Sequence, residues 1–210
     1  MCRPKLVLIG SSTGGPKQLK SILCDVELPL NSSIVVAQHM RPFYLQSFAD
    51  QFNKDVKSEV VLLSERTLLQ NKIYILAQNS VMLPLQNISA KPDDSGIETI
   101  FNPNVDMLFD SAVPLCKFAD VMAVLMTGIG DDGATALSTL YSAGAHCIAE
   151  SEADCIVYGM PKKAKETNKD LRMATLKEIK YEIERFINDT NKNSWNSNAS
   201  IAGIYQKNLW

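Results

Sequence analysis

Long apolar runs are missing from this sequence of 210 residues, and none approaches the roughly 20 residues that span a bilayer. The first ten residues, MCRPKLVLIG, contain a short apolar stretch that leads straight into a glycine loop, without the small-residue cleavage site of a secretory signal. These absences predict a protein that is neither inserted into a membrane nor exported, so we expect it in the cytoplasm.

Cysteine usage and net charge exclude further classes of function. The five cysteines are odd in number and form no C-x-x-C pair, which argues against a disulfide framework or a zinc site and fits a reducing compartment. A net charge of −2 gives no basic surface for nucleic acid. Histidine is scarce as well, so a catalytic imidazole would have to come from His39 or His146.

Short runs rich in Val, Ile and Leu alternate with segments of helical periodicity. Most of the runs lack polar alternation, as expected of strands covered on both faces, and they occupy 5–10, 33–39, 71–77, 120–128 and 145–150. The helical patterns occupy 42–52, 134–144 and 175–187. Thr175 and Glu178 have the spacing of a capping box. This alternation predicts an α/β fold with a doubly wound, mostly parallel sheet and helices on both faces, in three layers.

The domain is predicted to cover residues 1–188. Within it, the polar stretch at 84–104 is broken by Pro and Gly and predicts a long surface loop that could include a short hairpin. Beyond it, the composition changes to Asn and Ser with scattered aromatic residues. Residues 189–210 are therefore predicted to form a tail outside the domain.

The loop GSSTGGPK follows the first predicted strand and precedes a helix that Pro16 would open. It fails as a phosphate loop, because Pro16 stands where the pattern G-x-x-x-x-G-K-[ST] requires lysine. It also fails as a dinucleotide loop, because Ser12 stands where G-x-G-x-x-G requires glycine. A nucleotide-binding function is therefore disfavoured.

The same loop matches G-x-S-x-G, with Ser12 as the serine. A serine in a tight strand-to-helix turn is lifted to the edge of the sheet, beside amides that can receive an oxyanion. A nucleophile needs a base, and His39 follows the second strand, whereas His146 lies in an apolar run and is better explained as a packed residue. Asp132, after the strand at 120–128, could orient that base.

Each of these three residues also has a purely structural explanation. Ser12 could be a helix-end hydroxyl, His39 a hydrogen-bonded loop residue, and Asp132 the N-cap of a helix at 134–143. The catalytic interpretation is favoured because all three follow strands, at the edge of a parallel sheet where ligands bind. The chain order Ser–His–Asp differs from the orders in α/β-hydrolases, chymotrypsin and subtilisin, which indicates a separate lineage of hydrolase.

Five segments, in order, resemble the catalytic domain of the chemotaxis protein-glutamate methylesterase (CheB) family: IGSSTGGPKQL, VVAQHM, VDMLFDSA, VLMTGIGDDGA and IAESEADCIVYGMP. The resemblance runs from about Lys5 to about Lys165. It implies a doubly wound α/β enzyme that hydrolyses methyl esters of glutamate side chains on chemoreceptors, releases methanol and also deamidates certain receptor glutamines. It implies that no metal and no organic cofactor is needed.

The resemblance also implies a role for each part of the site. Ser12 would be the nucleophile, His39 the general base and then the general acid, and Asp132 the residue that orients the imidazole. The backbone N–H of Ile129 would bind the oxyanion, and Thr13 would support the site through a hydrogen bond to the His39 region.

Three departures from the family pattern concern regulation and recognition. The catalytic motif begins at residue 6, where most relatives first have a receiver domain, so we expect regulation to be lost, supplied by another chemotaxis protein or achieved through the tail. Asn102 and Asn104 stand in place of the charged and hydroxyl residues of an Arg-Pro-Ser string, and YILAQNS at 74–80 stands in place of YIAPG. Two other hypotheses stay open: a module that docks on receptors without turnover, and an esterase for unrelated acyl substrates.

Overall fold

Residues 3–84 and 87–189 are described by a computed structural model, and they form alternating strands and helices. The strands are β1 (Lys5–Ser11), β2 (Ser32–Gln38), β3 (Val60–Leu63), β4 (Thr67–Leu68), β5 (Ile73–Leu76), β6 (Ser80–Leu83), β7 (Ser89–Pro92), β8 (Asp120–Leu125), β9 (His146–Glu150) and β10 (Arg172–Ala174). The helices are α1 (Gly15–Leu23), α2 (Pro42–Asp55), α3 (Val105–Ala112), α4 (Ala134–Ser142), α5 (Met160–Thr167) and α6 (Leu176–Asn188), and a 3-10 helix follows α3 at Val113–Lys117.

Seven strands of the described chain form one parallel sheet in the order β10-β9-β8-β1-β2-β5-β3. β1 lies at the centre, and the chain winds outward from it through β2 on one side and through β8 on the other. The predicted doubly wound α/β sheet is therefore confirmed. The direction of winding reverses between β1 and β8, and ligands of such sheets bind beyond the carboxyl ends of the strands at that point.

The side chains of β1 show how both faces of the sheet are covered. Leu6 and Leu8 pack in the same core as α3, α4 and α5, whereas Val7 and Ile9 pack in the same core as α1, α2 and α6. All four side chains are fully buried, and burial of such a side chain contributes about 1.5–3 kcal/mol. The alternation along one strand therefore holds helices on both faces, in the predicted three layers.

A second sheet of three antiparallel strands, in the order β4-β7-β6, adjoins the core on the α3 side. Met82 of β6 and Ala90 of β7 are the apolar residues that these two strands contribute to that core. The hairpin of β6 and β7 begins before the polar stretch that suggested it, because β6 starts at Ser80. The prediction of a long loop is confirmed for residues 93–104, which form no helix or strand.

The last described helix, α6, ends at Asn188. Residues 190–210, which make up nearly all of the predicted tail at 189–210, lie outside the described residues, so the boundary between domain and tail stays a prediction. Within the part of the chain that the structure describes, no helix is both long enough and apolar enough to cross a membrane.

Both ends of α6 are fixed by side chains. The predicted capping box is present: Thr175 Oγ1 accepts a hydrogen bond from the Glu178 N–H, and the Glu178 carboxylate accepts one from the Thr175 N–H at 2.7 Å. At the other end, the buried ammonium group of Lys5 donates to the carbonyl of Phe186. These contacts satisfy backbone groups that a helix leaves unpaired at its ends, and the second ties α6 to β1.

His146, the histidine predicted to be packed, is buried in β9 with its side chain 6% exposed. Its Nε2 lies 3.8 Å from the carboxylate of Glu182, which is itself fully buried and accepts a hydrogen bond from Arg172 at 2.7 Å. Burial disfavours the imidazolium form and lowers the pKa of His146 to about 4, against the opposing effect of Glu182. His146 is therefore a neutral core residue at physiological pH.

The free energy of unfolding is expected to fall as the pH drops below about 6.5. In the unfolded chain, this histidine binds a proton near its ordinary pKa of about 6.5, whereas in the folded protein the pKa of His146 is about 4. The contribution of neutral His146 to the free energy of unfolding is therefore fully present when the pH is above the pKa that the histidine has in the unfolded chain. About 2 kcal/mol of this contribution is lost by about pH 5. Urea unfolding of wild type and His146→Gln at about pH 7.5 and about pH 5 measures this difference; the same pH dependence in both proteins would contradict it.

Candidate active site

Adjacent parallel strands bring Ser12 and His39 together. β1 and β2 pair with Ser11 opposite Gln38, and the His39 N–H donates to the Ser11 carbonyl at 2.9 Å. Ser12 and His39 are therefore the first residues beyond two neighbouring strands, at the carboxyl edge of the sheet. The sequence predicts this placement for the nucleophile and its base.

The side chain of Gln38 links the two strand ends. Its Nε2 donates to the carbonyl of Ser12 at 2.9 Å and to the carbonyl of His39 at 3.0 Å. Its Oε1 accepts from the Ser11 hydroxyl at 2.7 Å, and both of these side chains are buried. Gln38 therefore fixes the backbone of the predicted nucleophile relative to that of the predicted base. Its only signal in the sequence is its place beside His39 in VVAQHM.

Glycines make the tight turn that carries Ser12. Gly14 has a φ of +88°, in the left-handed region that favours glycine, and the Gly15 N–H donates to the Ser12 carbonyl at 2.9 Å. α1 then begins with Pro16 in its first turn, as predicted. A Cβ on Gly128 would lie 2.7 Å from the Cβ of Ser12, so the loop after β8 approaches the serine too closely for any other residue.

His39 and Asp132 are in direct contact, with Nε2 of the imidazole 2.7 Å from Oδ2 of the carboxylate. Their side chains are 6% and 3% exposed, so the contact is shielded from water. Because a carboxylate only accepts hydrogen bonds, Nε2 carries the proton and Nδ1 keeps its lone pair. Nδ1 is buried and has no hydrogen-bond partner among the described residues, which leaves it available as a base.

The N-terminus of α3 holds the carboxylate of Asp132. Asp132 accepts hydrogen bonds from the backbone N–H groups of Val105 and Asp106, at 2.8 and 2.9 Å, and from the side-chain amide of Asn104 at 2.9 Å. A helix N-terminus stabilises negative charge, because its first N–H groups have no partners within the helix. These three donors hold the carboxylate in place beside the imidazole of His39.

The structural alternative that Asp132 is the N-cap of a helix at 134–143 is wrong. The N-cap of α4 is Gly133, which has a φ of +86° and makes no side-chain hydrogen bond to the helix. A Cβ at Gly133 would lie 2.5 Å from Cγ1 of Val105, so this turn packs against the start of α3 only because the residue is glycine. The carboxylate of Asp132 consequently reaches α3, a different helix from the one that follows it in sequence.

The backbone of Ile129 has the free donor that an oxyanion site needs. Its N–H donates no hydrogen bond within residues 3–84 and 87–189, and its side chain is exposed. The preceding carbonyl, of Gly128, accepts from the N–H groups of Gly159 and Met160 at 3.1 and 2.9 Å. The loop is therefore held immediately before Ile129, while the amide predicted to bind the oxyanion stays unpaired.

No hydrogen bond between the Thr13 hydroxyl and the His39 region is present among the described residues, and the supporting role of Thr13 stays a prediction. Thr13 is exposed, and its carbonyl accepts from the hydroxyl of Thr127 at 2.9 Å. Thr127 also accepts from the Ser12 N–H at 2.9 Å and donates its own N–H to Glu150 at 2.7 Å. Glu150 is fully buried, and burial raises the pKa of its carboxyl. Thr127 therefore connects the serine turn with a buried carboxyl on β9.

Phe101 completes the surroundings of His39, and sequence reasoning did not identify it. The two rings are stacked, with their centroids 4.1 Å apart and their planes within 7°. Phe101 lies in the loop at 93–104, where no periodicity or motif connects it with the end of β2. The imidazole therefore has a carboxylate at one edge and an aromatic ring on one face.

Fold and site together define the class of the protein, a doubly wound α/β domain with a histidine and a carboxylate in contact at the carboxyl edge of its parallel sheet. The sequence model of a family described as CheB methylesterase matches residues 7–183. The chain belongs to the CheB methylesterase family, which confirms the resemblance of its five motifs.

Relatives of this family match the chain over most of its length. Protein-glutamate methylesterase/protein-glutamine glutaminase 2 of Carboxydothermus hydrogenoformans is 36% identical over 166 residues, which are 76% of this chain and 47% of the relative. The Salmonella typhi protein-glutamate methylesterase/protein-glutamine glutaminase is 36% identical over 167 residues, 76% of this chain and 46% of the relative. The chain thus spans about half the length of the curated relatives that it matches. The crystal structure of the Thermotoga maritima CheB methylesterase catalytic domain has a TM-score of 0.77 and 26% identity to it, over 87% of this chain and 98% of that one.

Proposed function

We propose that this chain hydrolyses methyl esters of glutamate side chains on the cytoplasmic helices of chemoreceptors, releasing methanol and restoring the carboxylate. The observation that carries the proposal is the shielded 2.7 Å contact between His39 and Asp132, with His39 following the strand next to the one that Ser12 follows. The names of the relatives supply the substrate class, a protein glutamate ester. The place of action would be the cytoplasm, where the chain meets its receptor.

In the first half of the proposed reaction, Ser12 Oγ attacks the ester carbonyl while Nδ1 of His39 takes the hydroxyl proton. Asp132 stabilises the imidazolium that forms, through its contact with Nε2. The backbone N–H of Ile129 donates to the oxyanion of the tetrahedral intermediate. The imidazolium then gives its proton to the methoxide as the C–O bond breaks, so that methanol leaves and an acyl-serine remains.

In the second half, water takes the place of methanol. His39 accepts a proton from the water as its oxygen attacks the acyl carbonyl, and the same N–H of Ile129 receives the second oxyanion. The bond from the carbonyl carbon to Ser12 Oγ breaks, and the proton returns to the serine. The product is a glutamic acid side chain, which gives its proton to the solvent and becomes the carboxylate, and the enzyme returns to its starting state.

We extend the proposal to glutamine side chains. An amide presents the same carbonyl carbon to Ser12 and yields the same acyl-serine, with ammonia as the leaving group in place of methanol. The leaving nitrogen needs a proton from His39, which the mechanism above supplies. The relatives carry the name protein-glutamine glutaminase beside that of methylesterase, which supports this second substrate.

Methanol release from receptor membranes methylated with labelled methyl groups tests the proposal. Wild type is expected to release methanol, and Ser12→Ala to release it about 10⁶-fold more slowly, because alanine has no nucleophile. Ser142→Ala is the matched control, since the Ser142 hydroxyl lies on the exposed part of α4 and donates only to the Ser138 carbonyl in the described chain. We expect this control to retain wild-type activity.

Two results would overturn the proposal in different ways. If wild type binds receptor membranes and Ser12→Ala binds them equally, but neither releases methanol, the chain is a docking module without turnover. If wild type cleaves a model ester such as p-nitrophenyl acetate but not methylated receptor, it is an esterase for another acyl substrate. The assay is repeated with phosphorylated and unphosphorylated cell extract, so that a missing activator is not mistaken for either result.

A further inference from the structure

The position of Phe101 is set by one asparagine side chain that closes the segment around it. Asn79, in the turn between β5 and β6, donates from Nδ2 to the hydroxyl of Thr99 at 2.7 Å. Its Oδ1 accepts from the N–H of Asn104 at 2.9 Å. Thr99 and Asn104 are the two ends of a six-residue segment, and the Thr99 hydroxyl donates in turn to the Phe101 carbonyl at 2.6 Å. Asn79 therefore ties both ends of the segment that presents Phe101.

Asn102 adds a third contact to the same turn, because its Oδ1 accepts from the Asn79 N–H at 2.6 Å. Asn79, Asn102 and Asn104 together are named the asparagine clamp. They belong to the two segments that depart from the family pattern in sequence, and the structure shows that these segments contact each other. The two departures therefore form one unit.

The asparagine clamp reaches the catalytic pair by two routes. Through the segment that it closes, it holds the ring of Phe101 against His39, with centroids 4.1 Å apart. Through Asn104, it donates a hydrogen bond to Asp132 at 2.9 Å. Asn79 makes neither contact itself, so any effect it has on His39 or Asp132 must pass through the segment at 99–104.

A hydrogen bond at one edge of a ring does not fix the ring. The contact with Asp132 fixes the distance of Nε2 but leaves the imidazole free to tilt about that bond. A parallel ring on its face removes this freedom and keeps water from that face. The position of Nδ1 relative to Ser12 therefore depends on Phe101 as well as on Asp132.

We propose that Phe101 is a positioning residue for His39, set in place by Asn79 of the asparagine clamp. The proposal rests on the proposed function only in taking His39 as the base that activates Ser12. Displacing catalytic groups by about 1 Å lowers rates by about 10²-fold, so loss of the clamp is expected to slow any reaction that begins with proton transfer from Ser12 to His39.

A fluorophosphonate measures that proton transfer without a receptor. The Ser12 oxygen forms a bond to phosphorus, fluoride leaves, and the hydroxyl proton goes to His39, so the labelling rate reports how well the base is placed. Phe101→Leu and Asn79→Ala are expected to lower the second-order labelling rate roughly 10- to 100-fold. Phe101→Tyr keeps the stacked ring and is expected to stay within about twofold of wild type, by the same geometric argument.

Asn168→Ala is the matched control for Asn79→Ala. The Asn168 side chain also accepts a backbone hydrogen bond within a loop, from Asp170 at 3.0 Å, but it lies beyond the far end of α5. We expect wild-type labelling from it. With methylated receptor as substrate, Phe101→Leu and Asn79→Ala are expected to lower kcat with little change in KM, because Phe101 acts on His39 and not on the bound ester.

Imidazole NMR provides a readout that needs no reaction. The chain has two histidines, and the resonances of His146 serve as an internal reference for the fold. In Asn79→Ala and Phe101→Leu, the His39 resonances are expected to shift and broaden while those of His146 stay in place. Unchanged His39 resonances together with wild-type labelling of Asn79→Ala would overturn the proposal. If wild type does not label at all, the proposed function fails, and the resonances alone then decide whether Phe101 positions His39.

Discussion

Asp132→Asn is expected to lower kcat by about 10⁴-fold with little change in KM, as the corresponding change does in other Ser–His–Asp sites. The carboxylate of Asp132 accepts from Nε2 of His39 and so leaves the lone pair on Nδ1. An asparagine can turn its NH₂ group toward the ring, which moves the lone pair to Nε2 and the proton to Nδ1. An imidazole in that tautomer cannot take the proton of Ser12. Steady-state methanol release over a range of ester concentrations measures kcat and KM separately.

The same substitution also acts on the fold, and a control separates the two effects. Asp132 accepts from two N–H groups at the start of α3, and loss of its charge there is expected to lower the free energy of unfolding by about 1 kcal/mol. Asp106→Asn is a control nearby, because Asp106 accepts from the Ala136 N–H at the start of α4 at 3.0 Å and makes no hydrogen bond to His39. Burial raises the pKa of the Asp106 carboxyl, so we expect its neutral replacement to be tolerated by the fold, and a large loss of kcat in Asp132→Asn alone. Equal kcat values would show that Asp132 acts on the fold only.

The double variant Ser12→Ala/His39→Ala is expected to be as active as either single variant. Each single change should lower kcat by about 10⁶-fold, since the attack needs both the hydroxyl and the base that deprotonates it. Once either is removed, the other has no reaction left to assist, so the second substitution adds nothing. Receptor demethylation by the three variants, followed until residual rates are measurable, tests this. Losses that multiply would mean that Ser12 and His39 act independently.

His146→Gln is the matched control for the histidine substitution. His146 is buried in β9 and belongs to the core beside Glu182, away from the carboxyl ends of β1 and β2. At neutral pH we expect this variant to keep its activity within about twofold, because a surface or core change outside the reacting groups leaves the transition state unaffected. A loss of activity as large as that of His39→Ala would contradict the assignment of His39 as the base.

Local physical signals predicted most of the parallel sheet. Runs of Val, Ile and Leu identified five of its seven strands, because strands covered on both faces must be apolar throughout. The capping box at Thr175 and Glu178 marked the start of α6, since it depends only on residues three positions apart. The edge strands β3 and β10 have four and three residues, and too few buried side chains to give a period.

Some contacts within the site could be predicted from the sequence, and others could not. Ser12 and His39 could be placed from sequence, because each follows a recognisable strand and parallel strands end at a common edge. The helix that Asp132 contacts could not be predicted from sequence, because whether its carboxylate reaches α3 or α4 depends on how Gly133 packs against Val105. Phe101 and Asn79 lie in irregular loops, where the fold of the whole segment decides which side chain meets His39. Contacts between loops leave no repeating pattern of apolar residues in the sequence, so they could not be predicted from it.

The topology of the sheet also sets the order in which the site can be assembled. β1 and β2 are near in sequence, so the strand pair that carries Ser12 and His39 is closed by a short connection. Pairing of β1 with β8, which precedes Asp132, has to close a loop of more than a hundred residues and is expected to form later in folding. A partly synthesised chain would therefore hold the serine and the imidazole together without the carboxylate. On the proposed mechanism, such a chain would lack the carboxylate that sets the tautomer of His39, and its rate of ester hydrolysis would be correspondingly low.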